Sequence, residues 1–190
     1  QNRELNYLQY HARQLSGWVE EIHASLSQQW QEERERRLLG DGRRERQGFD
    51  VDTLGVSLQL HSPSPVGRWV YGSEYYRDWV GSDYRHWAAD GALQTVRFQG
   101  PVADDAGYDL FGFYAQDQIP LFDERLELIL GGRYNYAAAD AGRVEDPFTG
   151  QLISFSDAWD TLVGSGRLLY YLDPQKRWNV YGGVSQGFRA

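Results

Sequence analysis

Apolar and polar residues alternate strictly along much of this chain. From Leu126 to Tyr136 every second residue is leucine, glycine or tyrosine, and charged or polar residues occupy most of the positions between them. The same period of two runs through 54–60 and 162–172. Successive side chains of a β-strand point to opposite faces, so the pattern predicts strands with one apolar and one mostly polar face.

The alternation predicts eight antiparallel strands joined in chain order as a meander. They are expected at 4–13, 18–35, 47–62, 67–81, 108–120, 125–139, 157–172 and 178–189. Short, turn-forming connections near 14–17, 63–66, 121–124 and 173–177 alternate with long, polar ones near 36–46, 82–107 and 140–156. This is typical of an all-β transmembrane barrel, whose tight turns and long loops lie on opposite sides of the membrane.

In such a barrel the apolar face of each strand contacts lipid and the polar face lines the lumen. Arg133 and Arg167, with Glu127 and Asp117, are therefore expected to face the lumen as a network in the wall. The residues expected to face lipid are Leu54, Val56, Leu58, Leu126, Leu128, Leu130, Leu162 and Leu168.

Tryptophans lie close to the ends of the predicted strands. Trp18, Trp69 and Trp178 follow short connections, whereas Trp79 and Trp159 lie near long ones. Aromatic residues form girdles at both membrane interfaces, so these five are predicted to form two girdles. The alternative is that they are core or hairpin aromatics of a soluble β-protein.

The charged stretch 25–40 has two interpretations. Neighbouring glutamates and arginines suit an amphipathic helix. The same residues also suit a strand that extends beyond the membrane and turns at 40–42, where the sequence Gly-Asp-Gly favours a hairpin. We predict the strand and keep the helix as the alternative.

Composition excludes several classes of function. With 41% hydrophobic residues among 190 the chain can form an ordered structure, and a formal charge of −8 argues against nucleic-acid binding. The absence of cysteine excludes disulfides and thiolate metal sites. No catalytic motif occurs, so neither an enzyme nor a cofactor is predicted. Without methionine or a leader at Gln1, the chain is interpreted as an interior segment.

Three segments resemble strands of TonB-dependent receptors. The last reads NVYGGVSQGFRA and matches the family pattern Tyr-x-x-x-Ser-x-Gly-Phe-Arg-Ala. A hairpin over 111–136 is similar to the family's Tyr-Ala-Gln-Asp and Gly-x-Arg-Tyr strands, and a stretch over 71–78 resembles its Tyr-Gly-x-Glu strand. The main matching residues are Tyr114, Ala115, Gln116, Asp117, Arg133, Tyr134, Ser185, Gly187, Phe188, Arg189 and Ala190.

The resemblance implies a bacterial outer-membrane receptor that takes up a scarce nutrient, such as an iron-siderophore or haem. The last segment is most similar to the haem, haemoglobin and colicin-receptor branch. Such receptors have barrels of about 22 strands around a plug. Residues 1–190 are thus expected to form part of the barrel domain, without the plug. The implied partners are outer-membrane lipid, the plug, the TonB protein acting through the plug, and the iron chelate or haem.

Candidate ligand contacts lie in the expected outer loops. His86 stands among aromatics, where an imidazole suits haem iron, although a plain surface histidine also fits. Arg43 and Arg44 belong to a basic hairpin tip that suits lipopolysaccharide phosphates or an anionic ferric ligand, or else is a solvated, salt-bridged hairpin. Two other functions stay open: a complete eight-stranded barrel with a structural or adhesion role, and a soluble lipocalin-like binder.

Overall fold

A computed structural model describes residues 1–97, 99–146 and 148–187, and they form one all-β sheet. Every pair of neighbouring strands is antiparallel. The strands are β1 (Asn2–Ala12), β2 (Glu21–Leu38), β3 (Arg44–Pro63), β4 (Arg68–Trp87), β5 (Leu93–Arg97), β6 (Asp104–Leu121), β7 (Leu126–Glu145), β8 (Leu152–Tyr171) and β9 (Asn179–Ser185).

The predicted antiparallel meander is confirmed, with one additional strand. Strand β5 lies inside the expected long loop 82–107 and pairs only with β4. Strand β5 pairs with β4 from Tyr84 to Trp87, and β6 pairs with the same edge of β4 from Arg68 to Val80. The sheet is open, because within the described ranges β1 pairs only with β2, and β9 only with β8.

The segments expected as long loops are mostly strand. At one end of the sheet, called the upper end here, the connections 39–43, 88–92 and 146–151 are short. The opposite, lower end carries 13–20, 64–67, 122–125 and 172–178. The predicted alternation of short and long connections is therefore wrong, because polar strands pair their backbones beyond the apolar stretch as well. The strand prediction for 25–40 is confirmed, since β2 continues to Leu38 and pairs with β3.

The register gives the sheet two chemically different faces. The leucine face carries even-numbered residues of β3, β7 and β8, such as Leu128 and its cross-strand partner Leu168. The polar face carries the odd-numbered residues of the same strands, such as Arg133 and Arg167. All eight residues expected to contact lipid lie on the leucine face, as the registers of β3, β7 and β8 show.

The sheet is a single layer. Val70 and Ala137 are the only buried apolar side chains among the described residues, whereas Leu162 on the leucine face is 74% exposed. Exposed apolar surface of this extent marks contact with a membrane or a partner. No helix in the described part of the chain has the length and hydropathy needed to span a membrane.

Candidate functional site

A hydrogen-bonded network crosses the polar face at the middle of the sheet. The Tyr114 hydroxyl donates to Gln59 Oε1 over 2.8 Å, which links β6 to β3 across β4. Arg133 on β7 pairs with Glu74 on β4 and donates through Nε to Asn135 Oδ1 over 2.5 Å. Its guanidinium also lies 5.9 Å from the centre of the Tyr114 ring. Four strands therefore contribute to one charged, half-buried wall.

Of the other residues expected in this wall, Arg167 and Glu127 lie on the polar face but Asp117 does not. Asp117 stands opposite Leu130, on the leucine face. Its carboxylate accepts hydrogen bonds from Trp69 Nε1 over 2.8 Å and from the Ser64 hydroxyl over 2.9 Å. The prediction of a lumen-facing Asp117 is wrong, because odd-numbered residues of β6 share the face of even-numbered residues of β7.

Two of the predicted girdle tryptophans mark the ends of the apolar band on one strand. Trp69 and Trp79 both lie on the leucine face of β4, Trp69 at its lower end and Trp79 eight residues before its upper end at Trp87. Each is about half exposed. The Arg77 guanidinium lies 5.8 Å from the centre of the Trp79 ring and also pairs with Asp109, so on this face charge begins two residues below the upper tryptophan.

Trp159 does not belong to that set. It stands opposite Ala137 on the polar face, so its assignment to the girdle of the leucine face is wrong. Trp30, which sequence reasoning did not single out, occupies the upper row instead: Trp30, Asp52 and Trp79 are successive cross-strand partners. Trp18 and Trp178 lie outside the strands, in lower connections, and are 73% and 70% exposed.

Three arginines lie side by side at the upper end of the leucine face. Arg36, Arg46 and Arg85 are successive cross-strand partners on β2, β3 and β4. Like charges directly opposite one another destabilise a sheet, so this row is suited to an anion between the guanidinium groups. Arg46 Nε is buried and has no hydrogen-bond partner within the described ranges. A cavity of about 550 Å³ beside the row is lined partly by Arg36, Arg46 and Trp87.

Other arginines of the basic hairpin are neutralised locally. Arg34 lies 3.3 Å from an Asp50 carboxylate oxygen. Hydrogen bonds to Glu35, first from the Arg37 side chain and then from Gln47, hold the pKa of Glu35 below its usual value. The interpretation of a salt-bridged hairpin therefore fits these residues. In the arginine row it fits Arg85, whose Nε lies 3.9 Å from an Asp83 carboxylate oxygen, but within the described ranges no carboxylate pairs with Arg36 or Arg46.

The three candidate ligand contacts are not brought together. His86 lies on the polar face opposite Glu45, and its Nε2 is buried without a hydrogen-bond partner in the described structure. Beside it the Tyr84 hydroxyl donates to Glu45, and burial raises the pKa of Tyr84.

The two arginines proposed as ligand contacts lie elsewhere at the upper end. Arg44 is the cross-strand partner of Leu38 and of Trp87 and lies on the leucine face, the opposite face from His86. Arg43 belongs to the connection 39–43 and bonds Asp41 over 2.7 Å. Hydrogen bonding to the Arg43 backbone amide is the main reason that the pKa of Asp41 is lowered.

The residues that carried the family resemblance alternate between the faces. Tyr114, Gln116, Arg133 and Ser185 lie on the polar face, and Ala115, Asp117 and Tyr134 on the leucine face. Gly187 follows the end of β9. Phe188, Arg189 and Ala190 lie outside the described residues.

Sequence reasoning missed a group near the lower end of the polar face. His11 and His23 are cross-strand partners, and Glu21 lies two residues from His23 on β2. The length of the connection 13–20 decides this pairing, and nothing in the local sequence marks it.

Comparisons with known proteins agree with this geometry. A family model described as "TonB dependent receptor-like, beta-barrel" matches residues 1–190. The solved structure titled "Copper transporter OprC" has a TM-score of 0.77 and 18% identity, over 96% of this chain and 31% of that one. The unliganded ferric citrate transporter FecA has a TM-score of 0.67 and 17% identity, over 96% of this chain and 27% of that one. No curated protein matches.

At these identities the structural likeness concerns the fold alone. The chain spans about a third or less of the length of the two proteins. The family to which the chain belongs is decided by the match of the family model over 1–190.

Proposed function

The chain belongs to the TonB-dependent receptor-like β-barrel family, and from that premise we propose that it forms part of the barrel wall of a bacterial outer-membrane uptake receptor. The observation that carries the proposal is a single-layer sheet with exposed leucines on one face and a charged network on the other. A soluble lipocalin-like binder needs the opposite arrangement, with apolar side chains inside. A closed eight-stranded barrel is disfavoured, because β1 and β9 do not pair with each other in the described residues.

We place the leucine face against lipid, with Trp69 and Trp79 at the two interfaces. These residues are ten positions apart on β4, which is about 33 Å along a strand at roughly 3.3 Å per residue. A strand tilted by about 35–45° covers about 25 Å of membrane thickness with that length, the height of the apolar band of outer-membrane barrels.

The polar face then lines the lumen and contacts the plug. The pair of Arg133 and Glu74 supports this role, because it presents both signs of charge to the interior from the middle of the sheet. We propose that a plug elsewhere in the same receptor docks on this wall and that TonB acts through that plug. Residues 1–190 are on this view part of one barrel domain.

For the cargo we propose a metal chelate, with an iron-siderophore or haem as the expected form. The support is the family resemblance and His86 on the polar face at the upper end, whose buried Nε2 has no hydrogen-bond partner among the described residues. A structural neighbour is titled a copper transporter, so a copper complex is the competing cargo.

Deleting the receptor is expected to lower the cellular content of one metal under limitation for that metal. Iron and copper are measured by mass spectrometry in deletion, complemented and TonB-deficient cells, and uptake should return only with the receptor and TonB both present. His86→Ala should weaken uptake several-fold, and His61→Ala near the lower end serves as its control. Unchanged iron and copper contents in the deletion strain would contradict the uptake function.

The arginine row of Arg36, Arg46 and Arg85 is proposed to bind lipopolysaccharide phosphates. On the lipid side of the barrel, above Trp79, it faces lipid headgroups and not the path of the cargo.

Arg46→Ala is expected to lower the lipopolysaccharide retained by the purified receptor about fivefold, because one arginine near an anionic surface contributes about 1 kcal/mol. Phosphate analysis of the detergent-extracted receptor measures this. Arg3→Ala, on the polar face of β1 and outside the cavity, is the matched control and should retain the lipid. Equal retention by both variants would remove the lipid assignment.

A further inference from the structure

Three side chains that are common metal ligands converge on the polar face near the lower end. His11 and His23 are direct cross-strand partners, and their ring centres lie 3.7 Å apart. Glu21 precedes His23 by two residues on β2 and therefore points to the same face. Each residue comes from a paired strand, so the backbone fixes their relative positions.

The distances suit a single ion. One ligand atom from each of His11, Glu21 and His23 lies within 4.8 Å of the other two. His23 Nε2 and Glu21 Oε2 are 3.6 Å apart. Ligands at about 2.0–2.1 Å from a tetrahedral metal are separated by roughly 3.3–3.5 Å, so small side-chain rotations bring this set to bonding distance.

Neighbouring groups contact two of the three ligands. Arg13 Nε donates to His11 Nε2 over 2.8 Å, so that nitrogen carries no proton, as a metal requires, but a metal bound there has to displace Arg13. Arg68 lies 3.2 Å from Glu21 Oε1, which leaves Oε2 directed at His23. Contacts of this kind that hold a ligating carboxylate are typical of metal sites.

A third histidine nearby belongs outside the ligand set. The His61 ring centre is 5.7 Å from that of His23, and His61 Nε2 lies 2.8 Å from Gln59 Nε2. Gln59 engages only Nε2 of His61, and Nδ1 is buried without a hydrogen-bond partner in the described structure. The mutual distances group only His11, Glu21 and His23, so the set consists of two imidazoles and one carboxylate.

We propose that His11, Glu21 and His23 bind one first-row divalent transition-metal ion, such as Zn²⁺, Cu²⁺ or Co²⁺. Imidazole nitrogen favours these ions over Mg²⁺ and Ca²⁺, which prefer oxygen ligands. Three protein ligands leave a fourth position open to water or another small ligand. The site goes beyond the uptake function, because it is defined by its own ligands and can be present whatever the cargo is.

The test uses Co²⁺ alone as a spectroscopic probe on the tag-free, native-length receptor in detergent. Titration should show visible absorption bands of a low-coordinate cobalt site, which Zn²⁺ abolishes. His23→Gln and Glu21→Gln should each remove one equivalent of bound Co²⁺ or weaken it at least tenfold. Gln9→Ala changes a polar-face residue two positions from His11 and should leave the bands unchanged. Far-UV circular dichroism confirms that each variant is folded.

Arg13→Ala distinguishes a metal site from a merely packed pair of histidines. Removing the donor that competes for His11 Nε2 should strengthen Co²⁺ binding. The proposal is overturned if the wild-type receptor shows no such bands, if folded His23→Gln and Glu21→Gln both bind as the wild type does, or if Arg13→Ala weakens binding.

Discussion

Replacing Leu162 with arginine is expected to destabilise the folded receptor in its bilayer by about 2–4 kcal/mol. Leu162 is 74% exposed on the leucine face and stands opposite Tyr134, in the middle of the sheet. A guanidinium at that depth has to leave water for hydrocarbon, and its described cross-strand neighbours in that row, Tyr134 and Phe113, offer no carboxylate. Reversible unfolding by denaturant in phospholipid vesicles measures the loss, a factor of roughly 30 to 1,000 in the folded-to-unfolded ratio.

Thr161→Arg is the matched control for this prediction. Thr161 precedes Leu162 on β8 but lies on the polar face, where an added arginine reaches water and stays solvated. The control should change stability by much less than Leu162→Arg. If both variants lose the same free energy, or if Thr161→Arg loses more, the leucine face does not contact lipid.

The sequence was enough to predict the two faces of the sheet because a strand has a side-chain period of two. A register slip by one residue moves every side chain to the other face. A strand with one apolar face therefore specifies which residues lie on that face. Leu128 and Leu168 stand on the same face for this reason. The same period of two explains why the face assignments of Trp159 and Asp117 were wrong. Trp159 is out of phase with Leu162 on β8, and a four-residue turn pairs Asp117 with an even-numbered residue of β7.

The upper parts of the strands could not be predicted from the same signal. Beyond Trp79 both faces carry polar residues, as in the row of Arg36, Arg46 and Arg85, so no contrast marks the strand. Backbone pairing with the neighbouring strand is what holds these residues extended. Strand β5 was missed for the same reason, since it is short and its pairing with β4 is specified by the turn at 88–92.

The histidine cluster lay beyond sequence reasoning because of one connection. The expected turn at 14–17 places His11 opposite Glu20 and thus puts His11 and His23 on different faces. The actual connection, 13–20, shifts the register by three residues and makes His11 and His23 partners. A register shift by an odd number of residues moves a side chain to the other face, so a small error in the predicted turn separates the residues of the proposed metal site.

Replacing Gly72 with valine is expected to destabilise the receptor by about 1–3 kcal/mol, which is the usual cost of overpacking. A Cβ at position 72 would lie 2.3 Å from the backbone carbonyl oxygen of Leu58 and 2.9 Å from the Tyr114 hydroxyl oxygen. The carbonyl belongs to the paired strand β3 and cannot rotate away, so β3 and β4 have to separate. The shift also displaces Tyr114, which bonds Gln59.

Strand propensity alone predicts the opposite sign, because valine favours a strand and glycine disfavours it. Gly132→Val separates the two effects. A Cβ at Gly132 meets only the Val163 carbonyl oxygen, at 3.8 Å, on the leucine face. That variant should be neutral or more stable in the same vesicle unfolding assay. The contrary result is that Gly72→Val proves as stable as Gly132→Val. In that case the sheet has accommodated the valine side chain at position 72, and the polar-face network does not require the close approach of β3, β4 and Tyr114.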